Sequence, residues 1–202
     1  MDDRTYTKQR PGLTEQRDES LMALWLDGHE NAFAVLVRRY EKPLFNFLRR
    51  MAGNAGDAED LFQETFLRVH QHRRRYRAGA PFKPWLYCIA ANLCRDRLRY
   101  RARRPSVSLD APIGESGDAL GNQFTAPGEN ADGPARRAET QARLERALAT
   151  LPVKHRTVFL MARYEDMPYE EIANALGIPV GTVKSRMNKA VKCLMKALDD
   201  EA

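Results

Sequence analysis

A segment rich in glycine and proline divides this 202-residue chain into two parts. Residues 105–138 contain five glycines, four prolines and few large apolar side chains, and no periodic apolar pattern runs through them. A segment of this composition cannot bury enough apolar surface to fold by itself. We therefore expect a flexible linker over 105–138, a disordered arm over 1–17, and two compact units over 18–104 and 139–202.

The compact units show the spacing of buried helices. In the first unit, apolar residues recur three and four positions apart from Phe33 to Met51, from Leu61 to Val69 and from Trp85 to Leu98. No stretch of alternating apolar and polar residues is long enough for a useful strand. The sequence therefore predicts an all-α fold of two helical domains.

Positive charge is concentrated in the first unit. Residues 1–104 carry 21 Lys and Arg against 13 Asp and Glu, whereas 139–202 carry 10 against 9. Six arginines lie between Arg95 and Arg104, and Asp96 is the only acid among them. Because phosphates attract cations and unstacked bases stack on aromatic rings, basic residues interleaved with aromatics favour binding of single-stranded nucleic acid. The alternative is a solvated basic face above ordinary core aromatics. Candidate contacts are Arg74, Arg75, Tyr76, Arg77, Phe82, Lys83, Trp85, Arg95 and Arg99.

The aromatic residues of this set differ in what we expect of them. We place Tyr76 and Phe82 in a loop, which makes them the better candidates for stacking on bases. Core packing is the better interpretation of Trp85, because it begins the apolar pattern of a helix.

The C-terminal unit contains the pattern of a helix-turn-helix. Residues 169–176 predict a short helix, Gly177 ends it in a conformation that favours glycine, and a second helix follows from Val180. One face of the second helix is apolar, and the opposite face and its flanks are polar and basic. Such a helix fits the major groove of duplex DNA, whereas a plain helical hairpin with a solvated lysine face is the alternative. The candidate contacts are Thr182, Lys184, Ser185, Arg186, Asn188, Lys189 and Lys192.

An acidic helix interrupts the basic first unit. Its outer face presents Asp60, Gln63 and Glu64, which DNA would repel. This face therefore either meets solvent or docks on a basic protein, and the residues alone leave both possibilities open.

Several classes of protein and site are not indicated. The four histidines are scattered, no catalytic or phosphate-binding motif occurs, and we expect no enzyme, metal site or cofactor. The longest apolar run, Trp85 to Ala91, is far shorter than the ~18 residues of a membrane span. The first twenty residues contain no apolar core, so we expect no signal peptide and a soluble cytoplasmic protein without membrane insertion. We expect the three cysteines, Cys88, Cys94 and Cys193, to fill helix interiors.

Four stretches resemble those of a known family. They are 57–66 (DAEDLFQETF), 85–92 (WLYCIAAN) continuing to Asp96 and Arg99, 151–159 (LPVKHRTVF), and 178–186 (IPVGTVKSR). In this order and across a linker, they resemble bacterial RNA polymerase sigma factors of the sigma-70 class, extracytoplasmic-function group. The resemblance implies that 18–104 is sigma region 2 and 139–202 is sigma region 4.

The resemblance also implies roles for residues. Asp60, Gln63 and Glu64 would contact the core polymerase. Asn92 and the loop from Arg77 to Lys83 would capture a flipped base of the minus-ten element. The polar face of the last helix, including Lys184, Ser185, Asn188 and Lys189, would read the minus-thirty-five element. Core polymerase, promoter DNA in duplex and melted form, and an anti-sigma factor are the implied partners.

Two positions depart from the family pattern. Pro168 stands where the family usually has a serine or threonine whose hydroxyl caps the following helix, although proline suits a first helical turn. Lys189 stands where arginine is common, which removes a bidentate reader of guanine.

The linker length sets a limit on promoter binding. A relaxed chain of its length spans ~30–35 Å, whereas promoter elements two to three helical turns apart are separated by ~70–100 Å. We therefore expect an extended linker on the promoter and closer domains in the free protein. A stand-alone helix-turn-helix regulator and a non-specific single-strand binder are the alternative functions.

Overall fold

The computed structural model describes residues 12–103 and 133–199, and the side chains of these residues except 134–138. Eight α-helices and two short 3-10 turns account for almost all of these ranges, and no strand occurs in them. The prediction of an all-α fold with two helical domains is confirmed. The helices are α1 (Asp18–Leu26), α2 (Glu30–Ala52), α3 (Ala55–Gln71), α4 (Phe82–Arg103), α5 (Pro134–Thr150), α6 (Val153–Arg163), α7 (Tyr169–Leu176) and α8 (Val180–Asp199).

Helices α1 to α4 form the N-terminal domain around one apolar core. Leu36, Phe47, Leu61 and Leu86 are almost completely buried there, as the apolar spacing predicts. Local signals fix the helix ends: Gly53 ends α2 with φ of 85°. The Asn54 side chain then caps α3 by accepting a 2.8 Å hydrogen bond from the backbone NH of Asp57.

Helices α5 to α8 form the C-terminal domain, in which α7 and α8 are the predicted helix-turn-helix. Gly177 has φ of 63°, and the NH of Ile178 donates to the carbonyl of Ala173 at 3.0 Å, which closes α7 as a glycine-containing cap. Ala173 and Val183 are buried where the two helices meet. Pro168 precedes α7 without a capping side-chain bond.

The two domains are in direct contact. Helix α2 packs against α5 and α6, and α4 packs against α6 and α7. Arg156 of α6 is buried, and its Nη1 donates to the carbonyl of Met51, in the last turn of α2, at 2.7 Å. Arg49 of α2 pairs with Glu145 of α5 at 2.7 Å.

The edges of the predicted arm and linker differ from the structure. Residues 1–11 and 104–132 lie outside the described residues, so those parts of the two assignments remain predictions. Within the predicted arm, however, Leu13–Glu15 form a 3-10 turn, and the carbonyls of Thr14 and Gln16 accept hydrogen bonds from Arg39. Helix α5 begins at Pro134, inside the predicted linker 105–138.

One expectation about the cysteines is wrong. Cys94 is buried and Cys88 is half-buried, but Cys193 is exposed on α8. The buried face of α8 is narrower than predicted, since Val191, two residues before Cys193, is also exposed. Both side chains lie outside the strip of α8 that faces α6 and α7.

Candidate nucleic-acid and polymerase interfaces

The arginines of α4 fall into two groups with different partners. Arg97 Nη1 lies 3.0 Å from Asp57 Oδ1 and 3.4 Å from Asp60 Oδ2, and Arg101 also pairs with Asp57. These two arginines therefore neutralise the acidic start of α3. Arg95 and Arg99, also one helical turn apart, are exposed, and Arg95 Nε lies 3.9 Å from Asp96 Oδ1.

A shallow groove lies beside the exposed arginines. Arg95 and Arg99 line it together with Leu98 and Ala102 of α4 and with residues 152–154 at the start of α6. Asn92, another predicted contact, is half-buried one turn before Arg95, and its Oδ1 accepts a hydrogen bond from Arg95 Nη2 at 2.7 Å. The structure therefore brings Asn92, Arg95 and Arg99 to one stretch of α4.

The aromatic residues predicted to stack on bases are arranged differently from the expectation. Tyr76 is 7% exposed and Phe82 is fully buried, because their rings pack against each other and against Tyr40 and Trp85. Burial, followed by the charge of Glu19, raises the pKa of Tyr76 to about 12. Trp85 is the partly exposed member of this cluster. The expectation that Tyr76 and Phe82 offer free faces is thus wrong in this structure, whereas Trp85 packs against the core, as expected, and keeps part of its surface exposed.

The remaining basic candidates of this domain lie on either side of the aromatic cluster. Arg74, Arg75 and Arg77 are exposed in the segment between α3 and α4. Lys83, in the first turn of α4, is engaged by the C-terminal domain: its Nζ donates to the carbonyl of Glu165 at 2.6 Å. No local sequence signal predicts this contact between Lys83 and Glu165.

Helix α8 presents the predicted polar face. Val183, Met187, Ala190 and Leu194 bury one side of the helix. Thr182 and Arg186 are half-buried at its flanks. The exposed residues are Lys184, Ser185, Asn188, Lys189 and Lys192.

Cationic side chains of α6 and α8 lie near His155, beside this face. Burial lowers the pKa of His155 on α6, and the charges of Lys154, Lys189 and Arg186 lower it further. Cations from α6 and α8 therefore lie close together and add to the positive charge beside α8.

A second groove runs between α3 and α4 on the acidic side of the N-terminal domain. Asp60, Gln63 and Glu64 line it, as do two exposed apolar residues, Leu67 and Tyr100, each 51% exposed. Glu64 pairs with Arg68 at 2.9 Å. Leu67 was not among the predicted contacts, although it lies four residues after Gln63 and three after Glu64, and so on the same helical face.

The described residues lack two other kinds of site. Among residues 12–103 and 133–199 there is no group of three or more histidine, cysteine or acidic side chains that could hold a metal ion. No helix in the same ranges combines the length and apolar character that a membrane span requires.

Comparisons with known proteins match both domains. The family models of Sigma-70 region 2 and Sigma-70 region 4 match residues 36–104 and 141–194. The chain is 34% identical to the ECF RNA polymerase sigma factor SigW of Bacillus subtilis, over 86% of this chain and 92% of that protein. It is 32% identical to the RNA polymerase sigma-H factor of Pseudomonas aeruginosa, over 92% and 96% of the two chains.

Solved structures agree in fold. CnrH, in complex with the cytosolic domain of CnrY, superposes with a TM-score of 0.68 at 25% identity, covering 92% of this chain and 99% of that chain. The sigma factor RpoE of Bartonella quintana, in complex with the anti-sigma factor NepR, superposes with a TM-score of 0.64 at 22% identity, covering 83% and 96%.

Proposed function

This chain belongs to the extracytoplasmic-function group of the sigma-70 family, and on that premise we propose that its two domains divide promoter recognition between them. As a sigma factor, it directs RNA polymerase to promoters and binds both the polymerase and promoter DNA. The stand-alone helix-turn-helix regulator is set aside, because sigma regions 2 and 4 both match. The observation that carries the division is that two exposed cationic faces, on α4 and α8, belong to different domains.

In our proposal, the N-terminal domain binds the melted minus-ten strand. Arg95 and Arg99 contact phosphates, Asn92 contacts a flipped base, and Trp85 supplies the partly exposed ring. Unstacking a base costs a few kcal/mol, and stacking on an aromatic ring returns ~1–3 kcal/mol. Phosphate contacts must therefore hold much of the opened strand. Arg74, Arg75, Arg77 and Lys83 extend the cationic surface for this purpose.

The C-terminal domain reads the minus-thirty-five element as duplex DNA. The exposed face of α8 enters the major groove, where the first residues of a recognition helix reach base edges and later lysines contact phosphates. Lys184, Ser185 and Asn188 are the proposed base-proximal residues, whereas Lys192 is placed for phosphate. Thr182, Arg186 and Lys189 complete this surface.

The groove between α3 and α4 is the proposed polymerase docking site. Its acidic and amide residues, Asp60, Gln63 and Glu64, form a polar rim around Leu67 and Tyr100. Apolar residues surrounded by polar ones are typical of the centre of a protein interface. This arrangement supports docking on a basic protein partner over a face that is merely solvated.

The cellular setting follows from the partners. We place the protein in the cytoplasm, where RNA polymerase works, and assign it no catalytic residue, since sigma factors are non-enzymatic initiation factors. An anti-sigma protein is a further expected partner, as one similar structure is the sigma factor RpoE in complex with the anti-sigma factor NepR.

The test is transcription by the purified full chain added to core polymerase on genomic promoter fragments. We expect transcripts that start at a defined position only when the chain is present. Leu67→Asp, and separately the pair Gln63→Ala with Glu64→Ala, should weaken core binding at least about tenfold if the groove is the docking site. Leu26→Asp makes the same change at another exposed leucine, on α1, and serves as the control. Equal effects of Leu67→Asp and Leu26→Asp on core binding would disprove the docking assignment.

A further inference from the structure

Glu165 makes a buried polar contact between the two domains. It lies in the turn between α6 and α7 and is only 7% exposed. Its Oε2 accepts a 2.5 Å hydrogen bond from the Tyr87 hydroxyl and lies 3.4 Å from Lys83 Nζ. Its carbonyl accepts a second bond from the same Lys83 Nζ at 2.6 Å. One residue of the C-terminal domain therefore holds two side chains of α4.

The turn that presents Glu165 is well defined. The NH of Glu165 donates to the carbonyl of Leu160 at 3.3 Å, and that of Met167 donates to the carbonyl of Met161 at 3.1 Å. Asp166 between them has φ of 50° and is the only non-glycine residue with positive φ in the described ranges. The neighbouring Tyr164 ring packs under the Arg50 guanidinium at 4.3 Å. The turn is thus fixed both by its own backbone and by the other domain.

Polar contacts join the two domains beside the apolar residues of a shared core. These contacts include an aromatic ring under Arg50, ion pairs of Arg49 and Lys83, the hydrogen bond from Tyr87 to Glu165, and main-chain acceptors. Interfaces of this kind between domains of one chain permit relative motion. Burial raises the pKa of Glu165 above its usual value despite the nearby Lys83, so the carboxylate is not strongly stabilised where it lies.

The docked arrangement cannot contact both promoter elements. Helix α7 packs on α4, and only three residues separate α7 from α8. A packing distance of 8–10 Å, a helix of eight residues and three connecting residues place the start of α8 within roughly 30 Å of α4. Two promoter elements lie ~70–100 Å apart. The domains must therefore separate before a promoter is bound.

We propose that the docked C-terminal domain inhibits the N-terminal domain, and that Glu165 is the latch that withholds Lys83 from DNA. The inference rests on the proposed role of Lys83 in binding the minus-ten strand. The Glu165 carboxylate pairs with the Lys83 ammonium group. A DNA phosphate would pair with this ammonium group if the carboxylate were absent. Single-stranded DNA and the docked C-terminal domain thus compete for the same side chain, and opening the latch raises the affinity for DNA.

The experiment compares two charge-matched variants of the full chain. Glu165→Lys reverses the charge facing Lys83, whereas Glu170→Lys makes the same change at an exposed position of α7. Tyr87→Phe removes only the hydroxyl that bonds Glu165 and leaves the net charge unchanged. Small-angle X-ray scattering measures domain separation, and fluorescence anisotropy measures binding of a labelled 20-nucleotide oligothymidylate.

We expect Glu165→Lys to increase the radius of gyration and to bind the oligonucleotide at least about fivefold more tightly than Glu170→Lys. Tyr87→Phe should shift both quantities in the same direction by a smaller factor, and it carries the test if the lysine variant does not fold. The latch proposal would be overturned if the two lysine variants bound the oligonucleotide with equal affinity. It would also be overturned if Glu165→Lys increased the radius of gyration without binding the oligonucleotide more tightly. Transcription by the unmodified chain with core polymerase tests the proposed function separately, so the two failures are distinguishable.

Discussion

Replacing Arg156 by alanine should destabilise the protein more than any surface change on the same helix. The guanidinium donates to the carbonyls of Met51 at 2.7 Å, Ala149 at 2.5 Å and Leu151 at 3.1 Å. Met51 and Leu151 are almost fully buried, whereas Ala149 is exposed and its carbonyl can turn to water. Each buried carbonyl left without a donor costs about 1–3 kcal/mol. Removing the guanidinium also removes the desolvation penalty of a buried cation, which offsets part of this cost. We therefore expect the free energy of unfolding to fall by about 2–3 kcal/mol.

The measurement is urea unfolding of the full chain followed by far-ultraviolet circular dichroism. Arg163→Ala, at the exposed end of α6, is the control and should change the free energy of unfolding by less than about 0.5 kcal/mol. Arg156→Lys should fall between the two, because one ammonium group cannot match the planar fork of a guanidinium. A loss below about 0.5 kcal/mol in Arg156→Ala would show that the three bonds merely balance the desolvation of the cation.

Three further outcomes follow from single positions. Gly177→Ala should lower the free energy of unfolding, measured in urea, by about 1–2 kcal/mol, because alanine is strained at positive φ; an unchanged midpoint would contradict the cap. Burial raises the pKa of Cys94 to about 12, so at pH 8 iodoacetamide should modify the exposed Cys193 first, as followed by mass spectrometry; early modification of Cys94 would contradict its burial. Phe82→Ala should cost about 3–5 kcal/mol in thermal unfolding, whereas Trp85→Ala should mainly weaken oligonucleotide binding measured by anisotropy; the reverse pattern would contradict the observed packing.

The helices of this protein were predictable because their signals are local. The apolar spacing from Phe33 to Met51 identifies the buried face of α2, and Gly177 alone marks the turn of the helix-turn-helix. The polar face of α8 could also be read from the sequence, since its apolar side must turn inward. Helix ends were less predictable: α5 begins at Pro134, and no apolar pattern announces its first turn.

The aromatic cluster shows what local signals cannot give. Phe82 follows a glycine-containing, basic segment, so by sequence it belongs to a loop, yet its ring is fully buried against Tyr40 of α2. That burial depends on how α2 and α4 cross, which no periodicity within either helix encodes. The same holds for Glu165, whose neighbours Lys83 and Tyr87 lie about eighty positions earlier in the chain.

Helix α4 is contacted by α3 and by the C-terminal domain at different positions along the helix. Arg97 and Arg101 meet the acidic start of α3, while Arg95 and Arg99, displaced by two positions and therefore by about 200° around the helix, stay exposed. Lys83 and Tyr87, one turn apart at the other end, are held by the C-terminal domain. An arginine count treats these residues as one basic surface, although Arg97 and Arg101 pair with Asp57 whereas Arg95 and Arg99 face a groove that residues 152–154 of the C-terminal domain also line. Opening the domains should therefore enlarge the cationic surface at the start of α4 and leave the Arg97 and Arg101 ion pairs intact.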